Sequence, residues 1–173
     1  IQPITAQPKI SGHPNGGYMI FFGTGRYLTN TPAGSSDLND TSVQAFYGIR
    51  DNGTVIATTD RSELQTQTLI DQGAFSGSTV RTSTQNAVDW ATKKGWYLDF
   101  LNPPSPGTAV GERVVSTPLV LGDRIIFVTL IPNTDPCTPG GDSWVMQVSA
   151  LTGGAPASSV FDFNNDEAFN DVD

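Results

Sequence analysis

The feature that most constrains the fold of this chain is a series of short apolar segments, each ended by glycine or proline. GYMIFFGTG (17–25) and GWYLDF (95–100) are of this kind, and ERVVSTPLVLGDRIIFVTLI (112–131) holds two apolar stretches around Gly122-Asp123. Apolar runs of about four to eight residues between turn residues are typical of β-strands rather than helices. The sequence therefore predicts an all-β protein.

Two further segments extend the β pattern and one departs from it. QAFYGIRDNGTVIATT (44–59) predicts a hairpin, because Asn52-Gly53 readily adopts the positive φ angles of a tight turn. SWVMQVSALTGG (143–154) predicts a strand that runs into a Gly-Gly turn. The stretch from Thr84 to Lys94 predicts a short helix, since its alanine and valine residues recur at helical spacing.

The order of these parts is repeated along the chain. An apolar strand, an insertion and a second strand with a glycine turn occur in residues 17–59, and similar parts occur in 112–154. Repeated units of meandering antiparallel strands are typical of β-propeller blades, at roughly 40–45 residues each. The sequence predicts part of a propeller with antiparallel, four-stranded blades over residues 17–161, after a leader or linker at 1–16 and before an acidic segment at 162–173. An independent β-sandwich is the alternative.

The charge balance limits the classes of partner. The 173 residues include 17 Asp and Glu against 9 Lys and Arg, which gives a net charge of −8, and the basic residues are scattered. No basic stripe is available to neutralise phosphates, which argues against nucleic acid and against an anionic membrane surface. No apolar run approaches the roughly 20 residues of a membrane-spanning helix.

The sequence gives little support to nucleophilic catalysis. The single cysteine, Cys137, lies in a loop rich in proline and glycine, more than 120 residues from the single histidine, His13. A catalytic cysteine needs a nearby base. Cys137 is therefore predicted to be a buried thiol or to pair with a cysteine elsewhere, and His13 to be an exposed loop residue.

Four motifs carry a resemblance to a known family. VVSTPLVLGDRIIFVTLI with ALTGG resembles the quinoprotein-like β-propeller repeat. LIPNTDPCTPGGDSW joined to SALTGG, together with GYMIFFGTGRYL and QAFYGIRDNG, resembles the C-terminal propeller region of the PilY1 family, the tip-associated proteins of type IV pili. The resemblance covers about residues 17–173. It implies a modified β-propeller, a calcium site in an EF-hand-like loop, and roles in pilus extension, twitching motility and surface adhesion.

The acidic end of the chain has the spacing of a calcium-binding loop. Such loops place oxygen ligands at positions 1, 3, 5, 7 (a backbone carbonyl), 9 and 12, because alternating positions of a curled backbone direct their oxygens to one point. FDFNNDEAFNDVD (161–173) has an oxygen at each of these positions when the count starts at residue 162. The predicted Ca²⁺ ligands are Asp162, Asn164, Asp166, the Ala168 carbonyl, Asn170 and Asp173.

Two positions depart from the usual loop. Position 6 is Glu167, where glycine would adopt a positive φ freely and an L-residue costs on the order of 1 kcal/mol. Position 12 is Asp173, which is shorter than the usual glutamate; in the shorter loop arrangement of the pilus family, Asn170 would close the site with a neutral oxygen. Both departures predict modest affinity. The alternative interpretation of the segment is a solvated acidic tail.

Two functions from different classes follow from the resemblance. The first is a non-enzymatic, calcium-binding propeller of a pilus-associated adhesin, extracellular at the pilus tip or outer membrane. Its partners would be pilins or minor pilins, and a host or abiotic surface. The second is a quinoprotein-like dehydrogenase, which needs an ion beside the quinone, a catalytic carboxylate and stacking groups. The sequence offers no such set, and it therefore favours the non-enzymatic module.

Overall fold

The computed structural model describes residues 1–28, 36–55, 61–75, 77–133, 141–157, 161–162 and 167. In these ranges the regular structure consists of β-strands and one short 3-10 helix, Asp37–Asn39, so the all-β prediction is confirmed. The strands are β1 (Lys9–Gly12), β2 (Tyr18–Gly23), β3 (Ala45–Asp51), β4 (Leu64–Phe75), β5 (Ser78–Ser83), β6 (Gly95–Asp99), β7 (Leu119–Leu121), β8 (Arg124–Val128), β9 (Ile131–Pro132), β10 (Gly141–Asp142) and β11 (Val145–Ser149).

The larger sheet has six strands in the order β1-β2-β3-β6-β4-β5. Its pairs are antiparallel except β4 and β6, which run parallel. The prediction of four-stranded, purely antiparallel sheets is therefore wrong for this part. The reason lies in the length of β4: its first half pairs with β6, and its second half pairs with β5 from Leu69 onward, with an irregularity between Leu69 and Asp71. Residues 9–12, within the segment predicted as a leader or linker, form β1 and pair with β2.

The smaller sheet has three antiparallel strands in the order β11-β8-β7. β7 and β8 form a hairpin at Gly122, whose φ of +59° suits a glycine. The two strands predicted around Gly122-Asp123 and the strand predicted before the Gly-Gly turn are thus confirmed. β9 and β10 form a separate short antiparallel pair, and in the sequence they lie between β8 and β11.

The hydrophobic core lies between the two sheets. Phe46 of β3 and Phe127 of β8 stack with their ring centroids 4.0 Å apart and their planes 8° from parallel. Burial of such rings supplies most of the favourable free energy of a sheet-on-sheet contact. The apolar residues that form this core cluster are Met19, Phe21, Phe46, Leu69, Val88, Trp96, Leu98, Phe100, Val114, Ile125, Phe127, Met146, Val148 and Ala150.

The predicted hairpin at 44–59 is not formed. β3 pairs with β2 on one edge and with β6 on the other, so neither edge is left for the residues after Gly53. The turn itself is present, because the Gly53 N–H donates to the Asp51 carboxylate at 2.9 Å. Residues 56–60 lie outside the described part of the chain.

The predicted helix from Thr84 to Lys94 is also wrong: residues 84–89 have no regular structure and 90–92 form a turn. The buried side chain of Gln67 explains this. Its amide nitrogen donates to the Asn86 carbonyl at 2.7 Å, and its amide oxygen accepts from the Asn86 N–H at 3.1 Å. These bonds keep the backbone out of a helix, since they occupy groups that a helix would use within itself.

Candidate metal centre

The candidate centre follows the turn that ends the smaller sheet. This turn closes on itself, because the Gly153 N–H donates to the Ser149 carbonyl at 2.8 Å and the Ser149 N–H donates to the Gly154 carbonyl at 2.9 Å. Immediately after this turn, the Ala155 N–H donates to the Thr84 carbonyl at 3.1 Å. Thr84 lies in the connection between β5 and β6 of the larger sheet. These hydrogen bonds therefore fix the position at which the chain leaves the core toward the acidic segment.

Asp162 and Glu167 are the two members of the acidic segment whose contact is described. The backbone N–H of Glu167 donates to Oδ2 of Asp162 at 2.9 Å, across five residues. Glu167 has a φ of +63°, a left-handed conformation that is uncommon for a residue other than glycine. The backbone N–H at position 6 therefore points at the carboxylate at position 1.

The other predicted ligands lie outside the described residues, as does Cys137. These ligands are Asn164, Asp166, Ala168, Asn170 and Asp173. In the part of the chain that the structure describes, no three His, Cys, Asp or Glu side chains come together as a metal-binding group. The candidate centre therefore depends on the hydrogen bond between Glu167 and Asp162 and on the spacing of oxygen-bearing residues in the sequence around it.

Asp37 is a buried carboxylate that is committed to a structural role. It accepts hydrogen bonds from Nε and Nη2 of Arg26 at 3.0 and 2.8 Å, and from the Leu28 N–H at 2.8 Å. The hydrogen bond with Arg26 is the main reason that the pKa of Asp37 lies below its usual value. Paired in this way, the carboxylate holds the 3-10 helix against the end of β2 and is not open to a ligand.

Glu112 is a second buried carboxylate with an arginine partner. Both of its oxygens accept from Nη1 of Arg81, at 2.8 and 2.7 Å, and both side chains are almost fully buried. The guanidinium also donates to Asn102 at 2.8 Å and lies 3.9 Å from the ring centroid of Trp144. This cluster ties the outer hairpin of the larger sheet to the segments before β7 and β11.

His13 is buried, so the prediction of an exposed loop residue is wrong. Its ring packs edge-on against Trp90 at 4.4 Å between centroids, and its Nδ1 accepts from the Asn15 N–H at 3.0 Å. Burial is the main reason that the pKa of His13 is lowered, and the nearby Arg50 lowers it further. The neutral imidazole therefore has a structural role, since it packs the turn between β1 and β2 against Trp90.

Comparison with known proteins identifies the class of protein and the family to which this chain belongs. Residues 1–81 match the family described as "PilY1 beta-propeller domain". The solved C-terminal domain of Pseudomonas aeruginosa PilY1 matches 99% of this chain with a TM-score of 0.81 at 31% identity. The chain is thus an all-β protein of the β-propeller class. This finding supports the predicted propeller over the alternative of an independent sandwich. It belongs to the PilY1 family.

Curated relatives agree with this assignment. "Type IV pilus biogenesis factor PilY1" of Pseudomonas aeruginosa strain PAO1 is 37% identical over 179 residues, which cover 93% of this chain. A "Type IV pilus biogenesis factor PilY1 homolog" of Xylella fastidiosa is 36% identical over 165 residues, covering 94% of this chain. The chain spans 15% and 13% of the length of these two relatives, and 36% of the solved domain. Among the described residues, no helix is long and apolar enough to cross a membrane.

Proposed function

We propose that this chain is a non-enzymatic, calcium-binding β-propeller module of a type IV pilus biogenesis factor and adhesin. It acts at the bacterial cell surface in pilus extension, twitching motility and attachment. The pilus assignment is supported by relatives that are 31–37% identical and are named type IV pilus biogenesis factors. The calcium assignment is supported above all by the bond from the Glu167 N–H to the Asp162 carboxylate, together with the positive φ of Glu167.

The donor chemistry of residues 162–173 fits calcium. Ca²⁺ takes six to eight oxygen ligands at about 2.3–2.6 Å and tolerates irregular geometry, whereas Mg²⁺ demands a tight octahedron and loses water reluctantly. Carboxylates at 162, 166 and 173, amide oxygens at 164 and 170 and the carbonyl of 168 would supply six. Mg²⁺ should compete poorly for such a set.

The ion would act as a conformational switch. Three carboxylate ligands within twelve residues repel one another, and one divalent cation offsets that repulsion. With the cation bound, the path of the chain after Phe161 is fixed relative to the turn at Ser149–Gly154. In a pilus protein, this ordering would control contact with pilins or minor pilins, and through it pilus extension and retraction.

The non-enzymatic assignment is supported by the state of the buried carboxylates. Asp37 and Glu112, the buried acids of the described residues, each accept charge-assisted hydrogen bonds from an arginine. A carboxylate whose oxygens are held by an arginine in this way is not placed to take a proton from a substrate. Pyrroloquinoline quinone added to the purified chain should therefore give no dye reduction, and a quinone-dependent signal would favour the dehydrogenase alternative.

The function is tested by complementing a bacterium that lacks the full-length protein. We expect the wild-type gene and Asp171→Ala, which changes a residue outside the ligand positions, to restore surface pili and twitching. We expect Asp162→Ala to be produced at the same level but to leave twitching impaired. Full twitching with Asp162→Ala, or the same loss with both variants, would contradict a role for calcium in pilus function.

A further inference from the structure

The sequence contains two Asn-Gly pairs, Asn15-Gly16 and Asn52-Gly53, and the fold places both in turns that line one open cleft. In an Asn-Gly pair, attack of the glycine nitrogen on the side-chain carbonyl carbon of the asparagine closes a succinimide ring. Glycine favours this closure because it has no side chain to obstruct the approach. The two pairs have the same covalent structure, so a difference in their chemistry must come from the groups that contact them.

The nucleophile of the second pair, the Gly53 nitrogen, has a carboxylate beside it. The Gly53 N–H donates to Oδ1 of Asp51 at 2.9 Å. The Asp51 carboxylate is therefore within hydrogen-bond reach of the proton that ring closure must remove. This position is the first geometric requirement for a general base.

The side-chain carbonyl oxygen of Asn52 accepts from two donors of Thr54. The Thr54 N–H donates to Oδ1 of Asn52 at 3.2 Å, and the Thr54 hydroxyl donates to the same oxygen at 2.5 Å. Donors directed at an oxygen that becomes negatively charged stabilise the tetrahedral intermediate of acyl transfer. The Lys94 ammonium donates to the Thr54 hydroxyl oxygen at 3.0 Å, so the hydroxyl proton remains directed at Asn52.

The first pair, Asn15-Gly16, is held in a way that opposes ring closure. The Gly16 N–H donates to the His13 carbonyl at 2.9 Å, and a neutral carbonyl is not a base. The Asn15 carbonyl accepts from Nη2 of Arg50 at 2.6 Å, and the Gly16 carbonyl accepts from Nε and Nη2 at 3.2 and 3.0 Å. Movement of the Gly16 nitrogen toward the Asn15 side chain would disturb all of these bonds.

We propose that Asn52 is a site of self-catalysed deamidation, with Asp51 as the base and Thr54 as the residue that stabilises the oxyanion. Asp51 accepts the Gly53 N–H proton while the Gly53 nitrogen bonds to Cγ of Asn52, and Oδ1 takes up the negative charge. The Cγ–Nδ2 bond then breaks, and the amide nitrogen leaves with that proton as ammonia. Water from the exposed surface of the turn hydrolyses the succinimide to aspartate or isoaspartate.

The product alters the charge and the backbone of the cleft. A carboxylate at position 52 adds a negative charge next to Asp51, in the cleft that Arg50 also lines. Because β3 ends at Asp51, isoaspartate also adds a main-chain carbon directly after that strand. The modification depends neither on calcium nor on the pilus assignment.

Ageing of the full-length protein at neutral pH tests the proposal. Peptide mass spectrometry measures loss of the amide at Asn52 and at Asn15, and isoaspartyl methyltransferase labels the isoaspartate product. We expect Asn52 to convert about tenfold faster than Asn15 in the folded protein, because only Asn52 has the base and the oxyanion donors. Unfolding in guanidinium chloride should slow Asn52 and bring the two rates together. Equal rates in the folded protein, or faster conversion of Asn52 after unfolding, would overturn the proposal.

Substitutions at the two proposed catalytic residues separate the chemistry from the shape of the turn. Thr54→Val removes the hydroxyl and keeps the backbone N–H, Thr54→Ser keeps both, and Asp51→Asn keeps an acceptor for the Gly53 N–H but removes the base. We expect Thr54→Val and Asp51→Asn to slow conversion of Asn52 on the order of tenfold, less than the roughly 10²–10³ of a buried enzyme site because this turn is exposed. Thr54→Ser should convert like the wild type, and Asn15 is the internal control. An unchanged rate in Thr54→Val or Asp51→Asn, or an equal loss in Thr54→Ser, would overturn the proposal.

Discussion

The indole ring of Trp96 lies against the backbone of Gly153 so closely that a Cβ added to Gly153 would be 2.1 Å from Cε3 of the ring. Nε1 of the same indole donates to the Ala150 carbonyl at 3.0 Å. β6 of the larger sheet is thereby joined to the turn that follows β11 of the smaller sheet. Gly153 also has a φ of +71°, so both its conformation and its surroundings require glycine.

Gly153→Ala is therefore expected to lower the free energy of unfolding by about 2–5 kcal/mol. Overpacking against a buried ring costs roughly 1–3 kcal/mol, and a left-handed L-residue adds about 1–2 kcal/mol. Urea unfolding measures the loss. Gly53→Ala is the matched control, because Gly53 has a φ of +80° but a Cβ added to it would meet nothing within 4 Å. Equal losses for the two variants would show that the contact with Trp96 contributes nothing.

Glu112→Gln is expected to destabilise the chain by about 3–5 kcal/mol, because it keeps the shape but leaves Arg81 as a buried, uncompensated charge. The control is Asp99→Asn, which breaks the partly exposed ion pair with Arg61. That pair should contribute about 1 kcal/mol or less. The two losses can be compared in the same denaturant titration, and a larger loss for Asp99→Asn would refute the structural role assigned to Glu112.

Stability is expected to fall on acidification through the protonation of His13. Because the pKa of folded His13 lies below the unfolded value of about 6.5, its contribution is complete above pH 6.5 and is lost as the pH falls toward the folded pKa. Tm should be lower at pH 5.5 than at pH 7.5. His13→Asn keeps an acceptor for the Asn15 N–H and removes the titration, so its Tm should change less over this interval. An unchanged pH dependence would assign the effect to other groups.

The apolar strands of this fold could be predicted from the sequence, and the polar ones could not. β2, β6, β7, β8 and β11 are short apolar runs with turn residues at their ends. β4 and β5 are rich in Thr, Gln and Ser and mostly exposed, so no local hydrophobic pattern marks them. The wrong helix at 84–94 has a related cause: its backbone bonds to Gln67, a contact between segments that local spacing does not reveal.

The same distinction applies to the functional residues. The spacing of oxygen-bearing residues from Asp162 to Asp173 is local, and the positive φ anticipated at position 6 is the one that Glu167 adopts. The Arg81–Glu112 pair joins residues 31 apart, and His13 packs against Trp90. A single sequence carries no signal for such pairs, because they are brought together only when the sheets assemble.

Calorimetric titration of calcium into the chain and three variants tests the proposed centre most directly. We expect modest affinity for the wild type, no binding for Asp162→Ala, and weakened but measurable binding for Asp171→Ala. Glu167→Gly should bind as well as the wild type or more tightly, by about fivefold for each ~1 kcal/mol of left-handed strain that is relieved on binding. No heat at millimolar calcium, or equal damage from Asp162→Ala and Asp171→Ala, would contradict the calcium centre and return residues 162–173 to a solvated acidic tail.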